Sequence, residues 1–89
     1  MRAILTVIGT DKVGIVAGVS RKLAQLQINI VDMNQTIMQN YFTMMMMLEL
    51  PEEVDFEQIR KEFRTVESEL GVKISIQNEE IFDAMHKLG

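Results

Sequence analysis

The stretch GTDKVGIV, residues 9–16, decides how the chain folds, because a strand pattern ends there and a helical pattern begins. Residues 3–8 before it are apolar on both strand faces, and residues 16–26 repeat apolar side chains every three or four positions. Asp11 is a candidate N-cap for this helix, and Gly14 leaves room for a ligand near the first turn. Free N–H groups and the helix dipole favour a carboxylate at such a place. The alternative interpretation is an ordinary turn that is capped for stability alone.

The composition is typical of one small folded domain. The chain has 89 residues, of which 47% are hydrophobic and 25% are charged. It has no cysteine, which excludes disulfides, thiolate metal sites and cysteine nucleophiles. A net charge of -4 argues against direct nucleic-acid binding, which needs clustered lysine and arginine. No apolar run is long enough to span a membrane, so we expect a soluble cytoplasmic protein.

The rest of the chain alternates between the strand and helix periods. Residues 30–38 and 41–50 predict two strands joined by a tight turn at residues 39–40. Asp55 and Gln58 resemble a capping box before a second amphipathic helix, which Gly71 ends. Residues 72–77 then predict a fourth strand, and Asn78 caps a short tail helix.

This order predicts an α+β, ferredoxin-like βαββαβ sandwich, with a four-stranded antiparallel sheet and two helices on one face. Residues 1–77 form that core within a single domain of residues 1–89, and residues 78–89 add the C-terminal helix. The helix-free face would carry Ile4, Ile8, Met45 and Met47, which is too apolar for water. We expect a second subunit or the tail helix to cover it. A homodimer is the simplest assembly.

The turn and the strand after the first helix resemble an ACT domain. The resemblance rests on residues 10–16, TDKVGIV, on Val19-Ser20 and Leu23, and on Asn29-Ile30 at a strand start. Residues 41–44 and Phe82 are similar to the small stand-alone ACT-domain proteins related to the glycine cleavage system transcriptional repressor. The resemblance covers essentially the whole chain. It implies a regulatory module rather than an enzyme, which binds a small molecule such as an amino acid where two domains meet and needs no cofactor.

The resemblance also implies which residues bind the ligand. They lie on the first strand-to-helix turn and at the start of the second strand, often from a neighbouring copy: Asp11, Lys12, Val13, Gly14, Ile15, Val16, Asn29 and Ile30. Asp32 and Asn34 could contact a ligand's amino group or form a polar patch. The alternative function is a ligand-free dimerisation or protein-interaction module that acts on a regulated partner protein. Edge-to-edge and face-to-face dimers both remain open.

Two further clusters suggest chemistry but have simpler interpretations. The run Met44–Met47 offers soft sulfur ligands, but strand alternation sends these side chains to opposite faces. We therefore predict core and interface packing for them. Glu79, Asp83 and His86 share one side of the tail helix and could hold a cation, although a solvated helix face is the preferred interpretation. We see no catalytic triad, P-loop or dinucleotide motif. We predict neither a metal site nor catalysis.

Overall fold

The computed structural model describes residues 1–10 and 14–86 and confirms the predicted ferredoxin-like architecture. The elements are β1 Arg2–Gly9, α1 Ile15–Gln25, β2 Asn29–Met38, β3 Tyr41–Glu49, α2 Phe56–Leu70, β4 Lys73–Asn78 and α3 Glu79–His86. The four strands form one antiparallel sheet in the order β2-β3-β1-β4. Within the described part of the chain, no helix is long and apolar enough to cross a membrane.

The core lies between the sheet and helices α1 and α2. Alternate residues of β1 and β3 point into it and are at most 2% exposed: Ala3, Leu5, Val7, Phe42, Met44, Met46 and Leu48. Met45 and Met47 point to the other face, so the methionine run divides between two faces as predicted. Helix α2 contributes Ile59, Phe63 and Val66, from the apolar stripe that the sequence predicts.

Helix α1 faces the core slightly differently from the prediction. Its buried residues are Ile15, Val19 and Leu23, whereas Val16 and Leu26 are only half-buried at the margin. The three buried residues are four positions apart, which keeps them on one face of a helix. The predicted stripe is therefore correct at its centre and shifted at its ends.

Most of the predicted end signals of α2 are confirmed. The Asp55 carboxylate accepts a hydrogen bond from the Glu57 N–H at 3.0 Å, and Gly71 has the left-handed φ of 67° that a C-cap favours. Gln58 does not complete the capping box, because its side chain donates to Glu62 instead. The other predicted cap and turn also form: Asn78 accepts from the Glu80 N–H at 2.8 Å, and residues 39–40 join β2 to β3.

The helix-free face is less exposed than predicted. Ile4 is buried at 8% exposure and Met47 is half-buried, so only Ile8 and Met45 of the predicted patch are exposed. Helix α3 packs against β1 and β4, which are neighbouring strands of the sheet. The apolar area left for a second subunit on this face is correspondingly small.

Strand β2 differs from the other three because it contributes nothing to the core. It is an edge strand that pairs only with β3, and each of its ten residues is exposed. Met33 and Ile37 lie opposite the core residues Met46 and Phe42, so their side chains are on the helix-covered face. The helices do not extend over them, so Met33 and Ile37 are left exposed on this face. We call these two side chains the apolar row beside α1.

Candidate functional site

The predicted site begins at Gly14, the residue before α1. Gly14 is the N-cap, with a left-handed φ of 82° and no side chain to bond the first turn. The prediction that Asp11 is the N-cap is wrong, because Gly14 takes that position. Asp11, Lys12 and Val13 themselves lie outside the described residues.

Among the described residues, the backbone amides in the first turn of α1 lie beyond the start of the helical hydrogen-bond ladder. The helical ladder starts with the N–H of Gly18, which donates to the Gly14 carbonyl at 2.8 Å. The N–H groups of residues 15–17 precede it and have no partner within the helix. The turn contains no acidic side chain, and a Cβ built on Gly14 would meet nothing within 4 Å. The positive helix end and these donors suit the carboxylate of a small molecule.

Ile15 and Val16 contribute through the backbone rather than through their side chains. Ile15 is 2% exposed and belongs to the core. Its side chain therefore cannot contact a ligand, and only its N–H group could take part in the predicted site. Val16 is half-buried against the same core. Neither side chain is free to select one ligand over another.

A depression beside this turn was not predicted. It has a volume of about 210 Å³ and is lined by Thr10, Ile37, Gln39, Asn40, Tyr41 and Phe42. It lies near the turn because Gly9, at the end of β1, pairs with Phe42, which in turn pairs with Ile37. The depression combines an apolar floor with two amide side chains, so it can accept a small uncharged group. The position of this depression depends on which residues of neighbouring strands are paired. Hydrophobic periodicity along the sequence does not predict that pairing.

Asn29 and Ile30 lie at the opposite end of the sheet. Asn29 pairs with Glu49, which pairs with Arg2 at the start of β1. Seven residue steps along β3 separate Glu49 from Phe42, which is about 23 Å at the rise of a strand. Both residues are exposed on the bare edge strand. One chain therefore does not bring the two halves of the predicted site together.

The Asn29 end of the sheet carries an ionised carboxylate. A hydrogen bond from the N-terminal ammonium at 3.1 Å is the main cause that lowers the pKa of Glu49 below its ordinary value of 4.5. Arg2, at 3.4 Å, adds a smaller effect in the same direction. This cluster joins the start of β1 to the end of β3.

Asp32 and Asn34 lie farther along β2 than Asn29 and Ile30. They pair with Met47 and Met45 on the helix-free face and line a shallow depression of about 210 Å³ with Ile4. The Asp32 carboxylate accepts a hydrogen bond from the Met33 N–H at 2.8 Å. This local bond favours the interpretation as a polar surface patch.

The tail cluster gives no support to a cation site. Across the described ranges, no group of three histidine, aspartate or glutamate side chains is placed to hold a metal ion. The backbone of His86, the third member of the predicted cluster, is described, but its side chain is not among the described side chains.

Comparison with known proteins identifies this architecture. The family model of the ACT domain matches residues 2–77, which is the whole βαββαβ core. The chain belongs to the ACT-domain family. ACT domains are small-ligand-binding regulatory domains rather than catalytic ones.

Several relatives match almost the full length of this ACT domain. A UPF0237 protein of Listeria innocua is 62% identical over 89 residues, covering 99% of this chain and 100% of the relative. The solved ACT domain protein from Streptococcus pneumoniae is 51% identical with a TM-score of 0.85, covering 97% and 98%. A structure described as a glycine cleavage system transcriptional repressor shares the fold, at 23% identity and a TM-score of 0.78, over 85% of this chain and 45% of that one.

Proposed function

We propose that this ACT domain is a cytoplasmic regulatory module that binds an amino acid at the interface of a homodimer formed along β2. The observation that carries the proposal is the separation of the two halves of the predicted site to opposite ends of the sheet. A second copy can supply the missing half, whereas a single chain cannot.

The exposed edge of β2 favours pairing with its own copy. Its exposed apolar side chains are between 41% and 69% exposed: Ile30, Val31, Met33, Ile37 and Met38. Each gains about 1.5–3 kcal/mol when it is fully buried. Edge strands that must stay unpaired usually carry lysine, proline, a bulge or a short length. Strand β2 has ten residues with neither lysine nor proline, and its one register irregularity lies near its start, between Ile30 and Asp32. A twofold strand pairing would satisfy its free backbone groups and bury the apolar row beside α1.

Twofold symmetry completes the site. Two antiparallel copies of β2 in full overlap place Asn29 of the partner subunit opposite Met38. Met38 is next to the Gln39-Asn40 turn, which lines the depression that includes Thr10 at the end of β1. The start of one strand then reaches the α1 turn of the other chain, and a closed dimer contains two equivalent sites.

Each part of this composite site has a chemical role. The N–H groups of residues 15–17 hold the ligand carboxylate. The side-chain oxygen of Asn29 of the partner subunit accepts from the ligand's amino group. The depression lined by Ile37 and Tyr41 accommodates the ligand side chain.

Thermal unfolding in the presence of each of the twenty amino acids tests the proposal. A ligand that binds only the folded dimer raises the midpoint, by an amount that corresponds to about 2.7 kcal/mol at a hundredfold excess over its dissociation constant. We expect a shift with at least one amino acid at millimolar concentration. A dimer that responds to none of them would instead support the ligand-free dimerisation or protein-interaction module.

A mixing experiment tests whether the site is shared between chains. Gly14→Asn places a side chain before the first-turn amides, and asparagine tolerates the left-handed φ. Asn29→Ala removes the amino-group acceptor from the other half. Each variant alone should lose binding, and a re-equilibrated equal mixture should recover about a quarter of the wild-type sites, because half of its dimers carry one intact site. No recovery would place both halves in one chain.

A further inference from the structure

The second edge of the sheet carries a different groove. It runs between α2 and β4, has a volume of about 340 Å³, and includes Arg60 and Arg64 from the helix. We call it the α2–β4 groove. It lies on the side of the molecule away from β2, so an argument about its occupant is independent of ligand binding at the β2 edge.

The strand wall of this groove offers backbone hydrogen bonds. The Ile74 N–H donates to the Glu67 carboxylate at 2.7 Å, so the backbone of Ile74 faces away from β1. Residues of an antiparallel strand alternate in direction, and Ile76 therefore also points its N–H and C=O away from β1. These groups have the direction that an added strand requires.

The helix wall carries two arginines and one carboxylate, Glu67, which accepts the hydrogen bond from the Ile74 N–H, so the net charge of this wall is positive. Arg60 and Arg64 are one helical turn apart, which places them on the same side of α2. Arg60 bonds the Glu57 carboxylate and stacks over the Phe56 ring at 4.7 Å. Arg64 is exposed and, among the described residues, has no ion-pair partner. Its guanidinium can bind a carboxylate through two parallel hydrogen bonds.

The same charges argue against a second copy of this chain as the occupant. A twofold pairing of two β4 strands would bring Arg64 and Lys73 of both copies to one interface. Like charges in such a position oppose association. Glu67 also occupies the Ile74 N–H, which interrupts a long β4–β4 ladder but leaves Ile76 for a short segment.

We propose that the α2–β4 groove binds an extended acidic segment of a partner protein. The segment adds to β4 as a short fifth strand, exchanges hydrogen bonds with Ile76, and places a carboxylate on Arg64. This gives the module a protein-binding surface that is separate from its dimer edge.

Binding of labelled peptides tests this proposal on the full chain. The probe is a capped heptapeptide that alternates threonine with glutamate, measured by fluorescence anisotropy at about 0.15 M salt. We expect binding below about 1 mM, and no binding of a peptide that alternates threonine with lysine. Arg64→Glu should weaken binding of the acidic peptide about tenfold or more. Arg21→Glu, an equal charge change on the exposed surface of α1, should leave it unchanged.

A third peptide separates strand addition from simple charge attraction. Alternating proline with glutamate keeps the charge but removes ladder donors, so its binding should be about tenfold weaker or more. The proposal is wrong if the acidic peptide does not bind, if the lysine or proline peptide binds equally well, or if both arginine variants lose binding together. A change of sedimentation mass in Arg64→Glu would assign the groove to a second copy and also overturn it.

Discussion

The two edges of this sheet are built in opposite ways. Strand β2 is ten residues long, exposed throughout, and pairs along one side only, with β3. Strand β4 is six residues long, and a carboxylate from α2 occupies the outward N–H of Ile74. Short length and local capping are ways to prevent uncontrolled strand pairing. The difference supports the proposal that β2 is the edge for self-association, and it leaves β4 open only to a short added strand.

A charge on β2 should have the largest effect on this contrast. Met33→Lys puts an ammonium group into the apolar row that the second copy would bury, where an unpaired charge is very unfavourable. We expect the mass measured by sedimentation at micromolar concentration to fall from about twice 10.2 kDa to 10.2 kDa.

Two matched lysine substitutions locate the interface. Ser75→Lys places the same charge on the β4 edge, and Met45→Lys places it on the helix-free face. Both should remain dimeric if pairing occurs along β2. A monomeric Met45→Lys with a dimeric Met33→Lys would instead identify a face-to-face dimer.

Removal of the β4 cap should have an intermediate effect. Glu67→Ala leaves the Ile74 N–H without its charged acceptor, and we expect a loss of about 1–2 kcal/mol in the free energy of unfolding. Urea denaturation at one fixed protein concentration measures it. Glu69→Ala, an exposed carboxylate on the same helix, is the control and should change stability by less than about 0.5 kcal/mol. Equal decreases in the free energy of unfolding for Glu67→Ala and Glu69→Ala would mean that the hydrogen bond from Ile74 to Glu67 does not stabilise the fold.

The smallest effect should come from an ion pair away from both edges. Lys22 donates to Glu62 at 3.0 Å between α1 and α2, and this bond lowers the pKa of Glu62 below 4.5. Because the folded pKa is lowered, the pair stabilises the fold above about pH 4.5, and the contribution is lost as the pH falls through the folded value. The free energy of unfolding should therefore fall less between pH 7 and about pH 3 in Glu62→Gln than in the wild-type protein. An unchanged decrease would show that the pair contributes nothing measurable, as is common for exposed ion pairs.

The architecture could be predicted because local patterns determine it. The alternation in β1 and β3 and the apolar stripe of α2 report which side chains enter the core. The caps at Asp55 and Gly71 follow from side-chain and backbone chemistry within a few residues. These features need no information about distant contacts.

The site was only partly predictable because its geometry depends on long-range register. The glycine turn was identified, yet the N-cap is Gly14 rather than Asp11, since the chain enters α1 with a left-handed φ that a local pattern does not specify. The side chain of Ile15 is buried because of the rotation of α1. Pairing of Gly9 with Phe42 determines the depression beside the turn. The burial of Ile4 accompanies the docking of α3, which no pattern in β1 could indicate.

The placement of the α1 turn and Asn29 at opposite ends of the sheet, about 23 Å apart along β3, has a consequence for how the module would work in a cell. A site divided between two chains makes ligand affinity depend on how much of the protein is present. Below the dimer dissociation constant, added ligand must also drive assembly, and by linkage the ligand tightens the dimer to the same degree. The response threshold would then follow the abundance of the protein itself, so that expression level sets the sensitivity of the sensor.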